Sequence, residues 1–136
     1  MRLLSFNIQY GFGADGVYDL TRAAGVIAGA DIACLQEVDR HWSRTGFDDQ
    51  PALLQGLLPD RYAVFGPGFD LGAAGVSGGR VVSRRRQFGP MVISRWPILW
   101  SRLHLLPPWP MLEPINTPTC ALEACIASPG GPLRGA

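Results

Sequence analysis

The sequence has 136 residues, enough for one ordinary domain, and it is 47% hydrophobic and 17% charged with a formal net charge of +1. This composition excludes a disordered chain and a protein that binds nucleic acid through bulk charge alone. No apolar run is long enough to span a bilayer. The three cysteines form no CxxC pair, which argues against a zinc site or a disulfide framework. We therefore expect a cytoplasmic protein.

The first forty residues predict a strand–helix–strand unit. Apolar and polar residues alternate over residues 2–9, which is typical of a strand, and a glycine-rich turn follows at residues 11–16. Asp19 suits the N-cap of a helix that ends at Gly29. The apolar run at residues 31–38 predicts a second strand, buried on both faces and parallel to the first.

The rest of the chain predicts one more helix and several strands. The helix begins at Asp49, with Leu53, Leu54, Leu57 and Leu58 on one side, and residues 66–79 are expected to form a loop. The strands are expected at residues 62–65, 91–94, 98–106 and 119–127.

Two proline-rich stretches interrupt the carboxyl-terminal third. PPWPMLEPINTP is too rich in proline for regular structure, and SPGGP forms a tight turn. Only a short partner strand follows that turn, so we expect residues 119–127 to be largely unpaired on one edge. This ending suggests an incomplete domain.

One glycine pattern allows a dinucleotide-binding interpretation. Gly11, Gly13 and Gly16 satisfy G-x-G-x-x-G between a strand and a helix, and Glu37 ends a second strand about twenty residues further on. In such a site the helix begins among the glycines, whereas here it begins after Asp19. Dinucleotide binding is therefore the weaker alternative.

A second pattern points to a metal site. Asn7 and Glu37 lie near the carboxyl ends of two strands that one crossover would place side by side, and Gln36 accompanies them. Carboxylate and amide oxygens suit Mg²⁺ or Mn²⁺, and substrate phosphate and water commonly complete such sites. The alternative is that Glu37 is a solvated charge and Asn7 a turn former.

Three segments together resemble the amino-terminal motifs of the endonuclease/exonuclease/phosphatase family: SFNIQYGFG, DIACLQEVDR and RRQFGPMVISRWPI. The resemblance implies a DNase-like four-layer α/β sandwich, of which residues 1–136 would form roughly the first half. It implies a hydrolase of phosphate esters that uses Mg²⁺ or Mn²⁺, with Glu37 as metal ligand and Asn7 orienting metal and phosphate. Ser94 and Arg95 match a structural motif of the family. Pro90 follows Gly89 where the family often has asparagine.

The resemblance also implies missing parts. The family completes its site with Asp-x-Asn, Gly-Asp-x-Asn and a terminal Asp-His pair, which lie beyond the turn at residues 128–132. His41 and His104 have no adjacent aspartate, and we interpret both as structural or exposed. Because no residue serves convincingly as general base, we expect no useful turnover from this chain alone. An inert truncated remnant or a binding module is the alternative.

The substrate class stays open at this point. Arg84, Arg85 and Arg86 could contact a polyanionic substrate, but a solvated loop is the favoured explanation, because Phe88 is the one aromatic residue nearby that could stack on a base. Nucleic acid, a phosphoinositide or a sphingolipid headgroup would each suit the family. Because half of a sandwich leaves apolar surface exposed, we also expect self-association through an exposed sheet.

Overall fold

The computed structural model describes residues 1–73, 75–107 and 119–136. The proline-rich stretch lies outside these residues from position 108 onward. The described elements are, in chain order, β1 (Leu3–Asn7), α1 (Leu20–Ala28), β2 (Ile32–Arg40), α2 (Gln50–Leu57), β3 (Tyr62–Phe65), β4 (Phe69–Gly72), β5 (Gly75–Ser77), β6 (Arg80–Val82), β7 (Arg85–Ser94), β8 (Ile98–Leu105), β9 (Cys120–Ser128) and β10 (Gly131–Gly135).

The predicted strand–helix–strand unit is confirmed. The Asp19 side chain accepts a hydrogen bond from the Thr21 amide at the start of α1, and Gly29 caps the other end of the helix. The strands β1 and β2 pair in parallel from Leu3 opposite Ile32 to the end of β1. Both strands therefore present their carboxyl ends at the same edge of the sheet.

Helix α2 also begins where the sequence predicts, with Asp49 accepting from the Ala52 amide. Its apolar side is narrower than expected, because Leu54 is fully buried whereas Leu53 and Leu57 are 44% and 43% exposed. A helix that contacts the sheet along one face buries only side chains spaced three or four residues apart. Leu54 and Leu58, four residues apart, form this buried face, and Leu53 and Leu57 lie beside it and are partly exposed.

The main sheet has five strands in the order β1-β2-β7-β3, with β4 also paired to β7. The ten-residue strand β7 runs antiparallel to β2 on one side, and on its other side it pairs first with β4 and then with β3. The prediction that residues 66–79 form a loop is wrong, since this range contains β4 and β5. It failed because β7 begins at Arg85, six residues earlier than its apolar run, and so offers β4 a partner.

The second sheet is antiparallel and has the order β10-β9-β8. The expectation of an unpaired edge at residues 119–127 is met only over residues 119–123, where β10 provides no partner in the described chain. Five residues of β10 pair with Ala124–Ser128, while β8 covers the other edge of β9. Short glycine- and proline-containing segments such as β10 carry little strand signal of their own, so pairing with β9 determines their conformation.

Two apolar clusters separate three layers. The first lies between the helices and the main sheet, and the second lies between the two sheets. Large buried members of the first cluster are Ile27, Leu35, Leu54, Met91 and Ile93, and the buried members of the second are Ile32, Val92, Leu122, Ala124 and Ile126. The α/β sandwich is therefore confirmed, with helices, sheet and sheet as three of its four expected layers. Within the described ranges, no helix is both long enough and apolar enough to cross a membrane.

One charged cluster ties the three strands of the second sheet together. Glu123 on β9 is only 6% exposed, its Oε2 lies 2.7 Å from Nε2 of His104 on β8, and its Oε1 accepts from Nε of Arg134 on β10. These two bonds, His104 first, hold the pKa of Glu123 below its ordinary value of 4.5. His104 thus has the structural role expected from the sequence.

This cluster predicts an acid-dependent loss of stability. Because the pKa of Glu123 is lower in the folded than in the unfolded chain, its contribution is present above about pH 4.5 and is lost as the pH falls below that value. We expect Glu123→Gln to be less stable than wild type at neutral pH and to lose less stability on acidification. Chemical denaturation between pH 3 and 7, with the exposed Asp60→Asn as control, measures both slopes; equal slopes for wild type and Glu123→Gln would contradict the assignment.

If the chain self-associates as expected from the sequence, β8 is the exposed strand that would form the contact. In the described part of the chain this strand forms an edge of its sheet, and it and the next residue expose Leu99, Trp100, Leu105 and Leu106 by 41–68%. Exposed apolar edge strands favour pairing between molecules. Light scattering should show association that rises with concentration, and Leu105→Lys should reduce it more than the control Val26→Lys on α1. A monodisperse monomer over the whole concentration range would rule the expectation out.

Candidate functional site

The pairing of β1 with β2 brings the two predicted site residues together. Asn7 is the last residue of β1 and pairs with Gln36, the neighbour of Glu37, in the middle of β2, which continues to Arg40 beyond the strand end expected at Glu37. Ile8 continues the contact by donating its amide to the Gln36 carbonyl. Asn7 and Glu37 thus lie on neighbouring paired strands, one residue apart in register.

The backbone at Glu37 has a conformation that the sequence does not reveal. The pairing of β2 with β7 shifts register between Leu35 and Val38, and within this bulge Glu37 has a φ of +59°. A bulge redirects a side chain out of the regular alternation, and a left-handed non-glycine residue costs of the order of 1–3 kcal/mol. Strain of this kind is retained where the surrounding structure fixes it, and it is common at functional sites.

Pro90 explains how the ladder tolerates this bulge. It lies between Gly89, which pairs with Val38, and Met91, which pairs with Leu35, so it faces the extra residue of β2. Proline has no amide hydrogen and is tolerated in sheets at bulges. The departure from the family's usual asparagine therefore coincides with the bulge that carries Glu37.

The oxygen atoms at this edge fit a divalent cation. Glu37 is half-buried, and among the described residues its carboxylate takes part in no hydrogen bond or ion pair. Asn7 Oδ1 accepts from the Gln9 amide at 2.9 Å, which fixes the orientation of its side-chain amide. Hard oxygen donors of this kind, with one carboxylate lacking a protein partner, suit Mg²⁺ or Mn²⁺.

The oxygen atoms of Asn7 and Glu37 could supply only part of the ligand set of a metal ion. Within residues 1–73, 75–107 and 119–136, no group of three or more histidine, cysteine, aspartate or glutamate side chains is close enough to hold a metal. Magnesium sites often use one or two protein carboxylates and complete the shell with water and substrate phosphate. Asn7 and Glu37 are consistent with a site of this kind, in which few ligands come from the protein.

The three consecutive arginines do not act as one cluster. Arg85 and Arg86 are strand residues of β7, so the solvated-loop interpretation is wrong for them, while Arg84 precedes the strand and is exposed. Arg85 Nε lies 2.8 Å from Oδ1 of Asp70. The guanidinium of Arg86 lies 5.7 Å from the ring centroid of Trp42.

A different arginine occupies the region next to the half-site, and sequence reasoning missed it. Arg44 has its guanidinium 3.6 Å from the Tyr10 ring centroid, 5.1 Å from that of Trp42 and 5.4 Å from that of Phe88. The expectation that Phe88 is the one aromatic residue near Arg84–Arg86 is also wrong, because the Trp42 ring lies close to the Arg86 guanidinium. Tyr10 was not obvious because it follows Asn7 through a turn in which Gln9 and Tyr10 both have positive φ.

The glycine-rich segment at residues 11–16 forms a loop before helix α1 and is not the start of that helix. Helix α1 begins at Leu20, four residues beyond Gly16. Gly11 has a φ of +84°, and a Cβ built on it would lie 2.8 Å from the Tyr18 ring. The helix N-terminus is therefore not at the glycines, where a dinucleotide pyrophosphate would require it.

His41 has a structural contact of its own. Its Nδ1 donates to the carbonyl oxygen of Arg85 at 3.0 Å, which joins the segment after β2 to the start of β7. This agrees with the structural interpretation of both histidines.

The layered helix–sheet–sheet architecture with an oxygen half-site at its strand ends defines a DNase-like α/β sandwich protein. The model of the Endonuclease/Exonuclease/phosphatase family matches residues 4–131, and the chain belongs to this family. Among curated proteins, none matches the chain significantly.

Two solved structures are similar to the chain. An endonuclease/exonuclease/phosphatase from Beutenbergia cavernae superposes with a TM-score of 0.70 at 26% identity, covering 98% of this chain and 36% of that chain. An endonuclease/exonuclease/phosphatase family protein from Leptotrichia buccalis superposes with a TM-score of 0.60 at 17% identity, covering 98% of this chain and 51% of that chain. The chain thus spans about a third to a half of the length of these two proteins.

Proposed function

We propose that the chain carries the amino-terminal half of the active site of a divalent-metal-dependent phosphate-ester hydrolase. The observation that carries the proposal is the half-buried Glu37 carboxylate, which has no partner among the described residues and lies at the strand edge shared with Asn7. Family membership supports the same chemistry.

Each of the two residues has a distinct role in this proposal. Glu37 provides the anionic oxygen ligand of Mg²⁺, or of Mn²⁺ in its place. Asn7, whose Oδ1 accepts from the Gln9 amide, orients the metal and the substrate, and its Nδ2 would donate to a phosphate oxygen. When bound, the cation neutralises negative charge that develops on the phosphoryl oxygens.

The proposal includes low or absent turnover by this chain alone. Hydrolysis requires a base that activates water, and a positioned general base typically contributes 10²–10⁴-fold. Neither histidine is available, because His41 donates to a backbone carbonyl and His104 pairs with Glu123 on the second sheet. A second chain or a further segment would have to supply the base.

The cysteines support a reducing location such as the cytoplasm. Cys34, Cys120 and Cys125 are all free thiols. Burial raises the pKa of the Cys34 and Cys120 thiols, which keeps them protonated and poorly reactive. Cytoplasmic localisation is therefore part of the proposal.

Metal binding by the purified chain tests the proposal directly. Electron paramagnetic resonance of added Mn²⁺ should reveal one bound ion per chain that excess Mg²⁺ displaces, whereas hydrolysis of bis(4-nitrophenyl) phosphate should stay at the background rate. Absence of any Mn²⁺ binding by the folded chain would favour an inert remnant and overturn the proposal. Metal-dependent hydrolysis that is lost in Glu37→Ala would overturn the expectation of inactivity alone.

A further inference from the structure

Arg44 is held in one orientation by two kinds of contact. Its Nε and Nη2 donate to Oδ2 and Oδ1 of Asp39 at 2.8 and 2.7 Å, and the Asp39 side chain has no exposed surface. The Tyr10 ring packs 3.6 Å from the guanidinium carbon. A two-point ion pair with a buried carboxylate and an aromatic stack leave the guanidinium little freedom to rotate.

The same guanidinium still has donors to offer. An arginine carries five N–H groups, and the pair with Asp39 uses only two of them. Among the described residues, no hydrogen bond uses Nη1 of Arg44, and its side chain is 39% exposed. A fixed cation with free, accessible donors is a suitable anion-binding group.

The chain connectivity places this cation beside the half-site. Asp39 follows Glu37 by two residues on β2, and Tyr10 follows Asn7 by three residues. Asp39 is the main cause of the raised pKa of Arg44, and the charge of Glu37 contributes as well. The Arg44 guanidinium is therefore held by two side chains, Asp39 and Tyr10, that closely follow Glu37 and Asn7 along the chain.

We propose that Arg44 is a phosphate-binding residue of this site, which uses Nη1 to donate to a phosphate oxygen of the substrate. This inference rests on the proposed function. It adds a positively charged side chain to the bound cation as a second group that contacts phosphate. It assigns the role to Arg44 in place of Arg84–Arg86 because the side chains that hold Arg44, Asp39 and Tyr10, follow Glu37 and Asn7 by two and three residues, whereas Arg85 is held by Asp70 on β4.

Inorganic phosphate is the probe that tests this inference. We expect wild type with Mg²⁺ to bind phosphate in a ³¹P nuclear magnetic resonance titration, and Arg44→Lys to weaken that binding by about tenfold, because lysine keeps the charge but loses the forked donors. Mn²⁺ affinity, measured by electron paramagnetic resonance, should be the same in both. The matched control is Arg95→Lys, which alters a half-exposed arginine paired with Asp31 at the other end of the sheet.

A second variant protects the test from misfolding. Arg44→Gln alone would leave Asp39 buried and uncompensated, so Asp39→Asn/Arg44→Gln removes both charges together. Loss of phosphate binding with Mn²⁺ binding retained in this folded double variant supports the inference. Phosphate binding equal to wild type in either variant overturns it.

The outcomes also separate this inference from the proposed function. If wild type binds Mn²⁺ but no phosphate, the role of Arg44 is wrong and the metal half-site stands. If wild type binds neither, the proposed function itself fails.

Discussion

Glu37→Gln should lower the affinity of the chain for Mn²⁺ by at least about tenfold, without a comparable loss of stability. The substitution keeps the shape of the side chain and replaces the one anionic ligand with a neutral amide, which is a weak donor to a hard divalent cation. It leaves the φ of +59° unchanged, so the strain at the bulge is the same in both proteins. A Mn²⁺ titration by electron paramagnetic resonance measures the affinity, and thermal unfolding checks the fold.

The matched control for this experiment is Asp60→Asn. Its carboxylate is 70% exposed and follows α2, so the same charge is removed away from the strand edge. If general electrostatic attraction held the metal, both variants would lose affinity equally. An unchanged Mn²⁺ affinity in Glu37→Gln would show that the cation, if bound, is held elsewhere.

The position of the half-site could be predicted from sequence because it depends on local patterns. Strand alternation, the Asp19 N-cap and the Gly29 stop define a strand–helix–strand unit, and parallel pairing then places Asn7 and Glu37 at one edge. The step needs only one pairing, between two strands joined by a single helix. The family motifs lead to the same two residues.

The surroundings of the half-site could not be predicted, since they come from distant segments. Arg44 meets Phe88 because β2 and β7 pair, with Asp39 directly opposite Phe88. The ion pair between Asp39 and Arg44 spans five residues across a turn that no periodicity marks. The positive φ at Glu37 could not be predicted from the sequence either, because position 37 is not a glycine.

The prediction of where β7 begins failed for a related reason. Its first half is polar and basic, and it becomes a strand because β4 and the end of β2 offer backbone partners. Strand propensity depends strongly on context, so neighbouring strands decide such segments. β7 also passes close to the short connection between β3 and β4, and this close approach leaves no room for an added Cβ atom at Gly89.

Gly89→Ala is expected to have the largest effect on the free energy of unfolding. Gly89 is buried where β7 passes the connection between β3 and β4, and a Cβ there would overlap the carbonyl oxygen of Gly66 and lie 2.9 Å from the amide nitrogen of Gly68. Both neighbours are backbone atoms of a short connection, which cannot rotate away as a side chain could. We expect a loss of about 3 kcal/mol in the free energy of unfolding.

Gly25→Ala is the control with the opposite sign. Gly25 lies inside α1, and nothing lies within 4 Å of a Cβ added there, so alanine should stabilise the helix by about 0.5–1 kcal/mol. Urea unfolding followed by circular dichroism gives both values on one scale. Because Gly89 pairs with Val38 beside the bulge, Gly89→Ala should also weaken Mn²⁺ binding, whereas Gly25→Ala should not. Equal stability of the two variants would mean that β7 passes the Gly66–Gly68 connection with more room than the structure gives it.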